Sequence, residues 1–403
     1  MIRLLIGVLC MLAVPDTRGA DEADLLFNPV GFRHVDRIAE ILGADQAQTE
    51  AILALHAGYR RNVLDLRKSY RQERAARHQA NNARSAQPDE AAEKRADFNA
   101  TYDVVDAVDA LTRGFFADLG TLAGPHASAK VEAAERFHRR RVGGRLTVCG
   151  PERADLIELA REVGVTRSAA FNEAMAEYEL RFDDLMQRKQ RRVRSLFEEL
   201  AEADIKDSPP ISEAIGEVLR KLTGGSIEIR DFNVRQARIL RDLLPEAEQA
   251  AWTRAFNTKS YPHVYGRDLT ADAYAKFRSM EGLDADQLEA IDRIHERYRN
   301  EAVGADARYV TALNRRHEAL SKANVVAFMD EIDKRPDIDD LTRAIDDRNS
   351  LAAACVKRMA DVLTGEQRVG LKDPPRAETA SKHDDLMPLG DGDEDREQWR
   401  EAE

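Results

Sequence analysis

The stretch Glu50-Ala-Ile-Leu-Ala-Leu-His-Ala-Gly-Tyr-Arg60 decides the fold, because the chain repeats it. It returns with Glu, Ala, Ile, His, Tyr and Arg in the same places as Glu289-Ala-Ile-Asp-Arg-Ile-His-Glu-Arg-Tyr-Arg299. A fainter copy lies midway, as Ala169-Ala-Phe-Asn-Glu-Ala-Met-Ala-Glu-Tyr-Glu179. The tyrosines of the three copies are 119 and 120 residues apart. Because a fixed period of this kind indicates tandem repeats, the sequence predicts three diverged units of about 120 residues.

Each copy lies on a predicted long helix with a narrow apolar seam. The apolar residues follow one another at steps of three and four, which is a heptad pattern. The third copy matches the first slot for slot, and the second departs from the pattern at Lys189. The remaining positions are densely charged, so we expect each helix to pack on one partner helix. The seam residues that we single out are Ile52, Leu55, Tyr59, Phe171, Tyr178, Phe182, Ile291, Ile294 and Tyr298.

Turn residues surround each long helix. A short amphipathic segment ends at a glycine, and an N-cap candidate follows within two residues. The glycines are Gly43, Gly164 and Gly282, and the N-cap candidates are Asp45, Thr166 and Asp284. After each long helix, clusters of Pro and Asx residues predict a turn and a returning helix. We expect the returning helices over residues 90–121, 211–243 (with a break at Gly224-Gly225) and 338–362.

These elements predict an all-α fold of three tandem long antiparallel helical hairpins. The predicted units cover residues 27–143, 150–262 and 268–371. Residues 143–150 and 258–270 are predicted to be linkers. From residue 372 to 403 the chain is Pro-rich and then acidic, with few apolar residues, which predicts a disordered tail.

The first 20 residues and the overall charge indicate where the protein acts. One positive charge precedes an apolar run, and Ala20 offers a cleavage point, so residues 1–20 are predicted to be a signal peptide. No later run approaches the length of a membrane-spanning helix, so we expect an exported chain, periplasmic or extracellular, without a transmembrane segment. The formal net charge is −12 and the basic residues are dispersed, which argues against a nucleic-acid partner.

Two similar five-residue phrases occur in the third unit. They are Leu363-Thr364-Gly365-Glu366-Gln367 and Leu283-Asp284-Ala285-Asp286-Gln287. In each, the second residue is suited to cap a helix, and the glutamine three residues later is suited to complete a capping box. One phrase precedes the long helix and the other follows the returning helix. A single such phrase would be an ordinary helix start, but the pair within a charged hairpin is more specific.

The pair of phrases resembles the LTxxQ-motif periplasmic proteins, a Spy/CpxP-like group with heavy-metal-sensing relatives. The resemblance is best over residues 270–371. It is partial in the first unit, where Asp45-Gln-Ala-Gln48 stands in for the first phrase, and weak in the second, where Gln249 lies one residue late. The resemblance implies a thin, curved hairpin of four helices, often dimeric, with ATP-independent chaperone or stress-sensing activity. Three units in one chain depart from that pattern and leave the oligomeric state open.

Two histidines occupy equivalent slots, each three residues before its tyrosine. His56 and His295 are low-ranking candidates for metal ligands, because imidazole suits transition metals. Neither has a second histidine four residues away, and the second unit carries Met175 at this slot. We therefore favour hydrogen bonding across the hairpin for both, and expect no cofactor.

Cysteines and aromatic residues offer further candidates. Cys149 and Cys355 either form a disulfide or are two buried thiols. The three repeated tyrosines are better explained as core residues than as a recognition surface. The one aromatic cluster either packs the second and third units together or binds a ligand. Its members are Trp252, Phe256, Tyr261, His263 and Tyr265.

The sequence indicates a binding protein rather than an enzyme. It contains no nucleophile elbow, no phosphate-binding glycine loop and no dinucleotide fingerprint. The leading hypothesis is an exported, non-catalytic protein that holds unfolded or partner polypeptides. The alternatives are a metal or stress sensor acting with a membrane partner, and a structural spacer of the cell envelope.

Overall fold

The computed structural model describes residues 29–83, 90–143, 149–202, 211–322, 336–370 and 375–379. These residues form an all-α protein with thirteen α-helices, one short 3-10 helix at Gly150–Arg153 and no strand. The predicted signal peptide, residues 1–20, and most of the predicted tail lie outside the described residues. Among the helices of the described part, none is both long and apolar enough to cross a bilayer.

Pairs of long helices alternate with short helices along the chain. In chain order they are α1 (Phe32–Leu42), α2 (Gln46–Ala83), α3 (Glu90–Ala123), α4 (Ser128–Gly143), α5 (Leu156–Val163), α6 (Ala169–Glu202), α7 (Ile211–Asp242), α8 (Glu246–Ser260), α9 (Pro262–Tyr265), α10 (Ala271–Arg278), α11 (Ala285–Lys322), α12 (Pro336–Asp361) and α13 (Gly365–Gly370). Their contacts group the chain into two compact units. In the described chain, the first holds residues 29–143, 176–202 and 211–215, and the second holds the rest. The three-fold division of the chain stays a prediction.

The core of the first unit is the hairpin of α2 and α3, with α1 and α4 packed against it. The seam of α2 turns inward, so that Ile52 and Tyr59 are buried and Leu55 is half-buried. Tyr59 also ties three segments together. Its hydroxyl accepts a hydrogen bond from the Val30 amide at 3.0 Å and lies 2.9 Å from the Thr112 hydroxyl of α3.

Ion pairs join α4 to the part of α6 that belongs to the first unit. Arg139 binds both carboxylate oxygens of Asp183, at 2.8 and 2.9 Å. Arg140 donates to Glu179 at 3.0 Å. The seam of α6 supplies the apolar part of this packing, with the rings of Tyr178 and Phe182 stacked at 5.3 Å.

The core of the second unit is the hairpin of α11 and α12, with α10 beside it. Ile291 and Tyr298 are buried and Ile294 is half-buried, in parallel with the first unit. Phe171 and Trp252 form an edge-to-face pair at 6.2 Å. The Trp252 indole donates to the Ala237 carbonyl at 2.9 Å, which satisfies its buried N–H.

The predicted linker over residues 258–270 is wrong, because it contains the end of α8 and all of α9. Tyr261 and Val264 are buried against the α11–α12 hairpin. Buried Arg348 of α12 donates to the backbone carbonyls of Val264 and Arg267 and binds Asp306 of α11 at 2.7 Å. These contacts supply the buried area and hydrogen bonds that a free linker would lack. The predicted aromatic cluster is thus divided between two packing sites.

Two further predictions of local structure are wrong. Helix α7 continues through Gly224-Gly225 without a break. Leu222, Ser226 and Ile229 are buried around the glycines, and this packing outweighs the low helix propensity of glycine. The predicted cap Thr166 is not the cap of α6. It donates its hydroxyl to Glu248 at 2.6 Å, whereas Ser168 accepts from the Phe171 amide at the helix start.

Part of the predicted disordered tail contacts the second unit. The Glu378 amide donates to the Leu269 carbonyl at 2.8 Å. Ala377 packs against the core cluster of α10, α11 and α12, and Arg267 lies 3.3 Å from the Glu378 carboxylate. Residues 375–379 therefore differ from the prediction, because a backbone hydrogen bond and one small apolar side chain hold them in place.

Candidate functional site

The two five-residue phrases meet in the second unit through their glutamines. Gln287 and Gln367 exchange amide hydrogen bonds at 2.9 and 3.2 Å. Each glutamine oxygen also accepts the backbone N–H of its own cap residue, Asp284 or Thr364. Each cap side chain accepts the N–H of its glutamine in return. Leu363 is buried and Leu283 half-buried beside the pair, so the phrases form a structural joint between the starts of α11 and α13.

The first unit has the capping box before its long helix but lacks the second glutamine of this pair. Asp45 and Gln48 form the same reciprocal capping box, at 2.8 and 3.1 Å. The counterpart of Gln367 is missing, and a cavity of about 250 Å³ lies beside Gln48. Lys130 spans this side by donating to the Leu42 carbonyl at the end of α1, at 2.8 Å. The base of the first hairpin is therefore more open than its counterpart.

The repeated histidines make hydrogen bonds to segments that precede their own long helices. His56 Nε2 lies 2.8 Å from the Val30 carbonyl, and His295 Nε2 lies 3.2 Å from the Asp268 carboxylate. The expectation of hydrogen bonds across the hairpin is wrong, because the lead-in segments fold back over both rings. Burial lowers the pKa of His56, which favours its neutral form.

Metal ligands and thiols do not gather in the described part of the chain. It holds no group of three or more His, Cys, Asp or Glu side chains placed to bind a metal. Cys149 and Cys355 are both buried and form no disulfide, which matches the alternative of two buried thiols. Burial raises the pKa of the Cys355 thiol to about 11, so this thiol is not poised as a nucleophile.

An open groove of about 900 Å³ runs between α2 and α3 in the first unit. Tyr59 and Phe115 form its buried floor, and the half-buried residues Leu55, Leu66 and Leu111 form its apolar walls. Small residues from both helices also line the groove. They are Ala54, Gly58 and Ser69 on α2, and Ala107, Ala110 and Gly114 on α3. The groove is therefore an apolar trough that follows the hairpin, and not a closed pocket.

The glycines leave space in this groove. A methyl group added at either Gly58 or Gly114 would meet no other atom within 4 Å. The charged residues among those lining the groove are Asp65 and Asp118, and Asn62 adds a neutral polar group. The lining thus combines apolar contact area, room for close approach and negative charge.

The third copy of the repeat carries long charged residues at the same slots of its helix. Ala54, Gly58 and Ser69 correspond to Arg293, Arg297 and Arg308. Sequence reasoning treated the seam as the informative face and missed the groove beside it. The difference between small residues in the first copy and arginines in the third was the available signal.

Comparison with known proteins adds no relative. No protein-family model matches the chain, and neither a curated protein nor a solved structure shows significant similarity to it.

Proposed function

We propose that the protein is an exported, non-catalytic polypeptide-binding protein that acts without ATP, in the manner of an envelope chaperone. The observation that carries this proposal is the groove between α2 and α3, with its apolar walls and small rim residues. Amphipathic segments of other proteins are recognised by laying an apolar face into a groove of this kind. The export part of the proposal rests on residues 1–20.

The groove suits a weak and reversible binder of unfolding chains. Its walls are half-buried leucines, so a bound segment removes additional apolar area from water. A segment that docks on these walls needs an apolar face but no defined order of apolar side chains. Such tolerance fits a protein that must hold many different clients, because apolar walls select contact area and not one particular side chain.

The test is the aggregation of a reduced, unfolding test protein, followed by light scattering. The chain from residue 21 is added at substoichiometric and stoichiometric levels. The groove is filled by combining Ala54→Arg with Gly58→Arg, which installs the residues of the third copy. The matched control is Ala57→Arg, an exposed alanine on the same helix outside the groove.

We expect the unchanged chain and the control to delay aggregation, and the filled variant to lose most of this effect. Equal suppression by all three proteins would place polypeptide binding elsewhere and contradict the groove. No suppression by the unchanged chain would remove the chaperone proposal.

A further inference from the structure

We propose that the groove between α2 and α3 selects amphipathic helices with two basic residues about nine positions apart. This inference rests on the proposed function and names the class of segment that the groove prefers. It is carried by the two carboxylates that line the groove, Asp65 of α2 and Asp118 of α3. Neither an arginine nor a lysine is among the lining residues.

The shape of the groove favours a helix. Its lining extends along α2 from Ala54 to Ser69, which is about 22 Å at 1.5 Å per residue. Gly58 and Gly114 stand on opposite sides, with open space at both Cβ positions. Small residues on facing helices allow a third helix to approach closely, which would be blocked by the arginines of the third copy.

The spacing of the two carboxylates follows from the pairing of the helices. The Tyr59 ring lies 5.2 Å from the Phe115 ring, so the two residues are level with each other on antiparallel helices. Asp118 is three residues beyond Phe115 on the antiparallel helix, which places it about level with His56. Asp65 is then about nine residues, or about 13.5 Å, farther along the groove and on its opposite side. On a docked helix, two positions nine residues apart match this distance and point to opposite flanks, because nine residues make about two and a half turns.

Charge complementarity therefore selects the occupant. Basic residues nine positions apart project from opposite flanks of a helix, so that one meets Asp65 on the α2 side of the groove and the other meets Asp118 on the α3 side. The acidic stretch Asp391-Gly-Asp-Glu-Asp-Arg396 of this chain carries the wrong sign for the same site. A basic amphipathic client is favoured over it at low salt, where surface charges are least screened.

The experiment compares two labelled peptides by fluorescence anisotropy with the chain from residue 21. Both peptides carry the same apolar face over eighteen residues. One has lysine at two positions nine apart, and the other has glutamate there. We expect the lysine peptide to bind about tenfold more tightly at low salt, since two exposed pairs each contribute a few-fold. This preference should shrink as salt is raised.

Variants of the protein make the test specific. Asp65→Lys together with Asp118→Lys should reverse the preference between the peptides. The matched control is Asp103→Lys, an exposed acid on α3 outside the groove, which should leave the preference unchanged. Gly58→Arg should weaken the binding of both peptides.

Two results would overturn the inference. One is equal binding of the two peptides with no response to the double lysine variant. The other is self-association of the chain that Gly58→Arg abolishes, because a second copy would then be the occupant. Either result leaves the proposed function in place if the filled groove still loses suppression of aggregation. Equal suppression by the filled and unchanged chains contradicts the groove as the binding site, and no suppression by the unchanged chain contradicts the proposed function itself.

Discussion

At the scale of single residues, the glutamines of the two five-residue phrases each satisfy more than one helix end. Gln367 accepts from the Thr364 amide and donates to the Gly282 carbonyl and to Gln287. Gln48 of the first unit makes its capping contact with Asp45 but has no such glutamine partner in the sequence position of Gln367. Glutamine at the start of a helix therefore makes more hydrogen bonds in the second unit than in the first, and should contribute more to stability there.

Replacing Gln367 by leucine should be the more damaging of two matched changes. Gln367→Leu leaves the Thr364 amide and the Gly282 carbonyl without these bonds and removes both bonds to the Gln287 side chain, and we expect a loss of about 2 kcal/mol. Gln48→Leu removes one exposed capping bond and should cost below about 1 kcal/mol. Urea unfolding followed by circular dichroism measures both. Equal losses would show that the paired phrases add nothing to an ordinary cap.

His317 links the stability of the second unit to pH. Burial, and then Arg230 and Arg316, lower the pKa of His317 to about 4. In the unfolded chain the pKa of this histidine is about 6.5. Below this pH the unfolded state therefore binds a proton that the folded state does not bind. The contribution of neutral His317 to the free energy of unfolding is therefore fully present above pH 6.5. It falls by about 3 kcal/mol as the pH drops toward 4.

The check is the pH dependence of the urea midpoint for the unchanged chain and for His317→Gln. The variant should lose most of the slope between pH 6.5 and pH 4, whatever its stability at neutral pH. His56 retains a smaller slope of the same sign, because burial lowers its pKa as well. Parallel curves for the two proteins would refute the assignment.

At the scale of elements, the ion pairs between α4 and α6 differ from those along the helix surfaces. Asp183 is nearly buried and receives Arg139 in a bidentate contact as well as the Gln187 amide at 2.7 Å. Its neighbour Asp184 is exposed and lies 3.3 Å from Arg188 on the same helix. The sequence shows two adjacent aspartates, and only the fold separates a packed carboxylate from a solvated one.

Asp183→Asn and Asp184→Asn form a matched pair of changes. The first removes the carboxylate that Arg139 binds through two hydrogen bonds and leaves this partly buried arginine only the pair with Glu135 at 3.4 Å, so we expect a loss of about 2 kcal/mol. The second breaks an exposed pair within one helix and should change stability by below about 0.5 kcal/mol. Hydrogen exchange of the α4 and α6 amides measures the effect locally. Similar protection in both variants would mean that the apolar contacts of α6 suffice.

Helix positions were predictable from the sequence where a periodic apolar pattern and a turn residue coincide. Gly43 and Gly164 are the C-caps of α1 and α5, with positive φ angles of 67 and 69 degrees, as glycine at the predicted helix ends implies. The prediction is wrong for Gly282, because α10 is capped by Ser279 and Gly282 lies in the turn that follows. The course of α7 through Gly224-Gly225 and the position of α9 were not predictable. Both depend on burial by distant parts of the chain, such as the contact between Arg348 and the end of α9.

At the scale of the whole molecule, the candidate site lies where α2 carries small residues at positions that align in sequence with arginines of α11. The seam predicted which residues are buried, because heptad spacing determines which face meets a partner helix. The groove depends instead on residues beside the seam, whose small size is informative only beside the arginines of the third copy. The facing small residues Ala107, Ala110 and Gly114 come from α3, and no local pattern pairs them with α2.

A groove kept open for function should cost stability, and this cost can be measured. Gly58 lies within α2 and has open space at its Cβ position, so Gly58→Arg removes a helix-weakening glycine without a clash. We expect a gain of about 0.5–1 kcal/mol in the free energy of unfolding, together with reduced suppression of aggregation. Ala57→Arg replaces a good helix former and should change neither quantity by much. If Gly58→Arg instead destabilises the protein, position 58 packs against another part of the protein. The groove would then be a structural contact rather than a binding site.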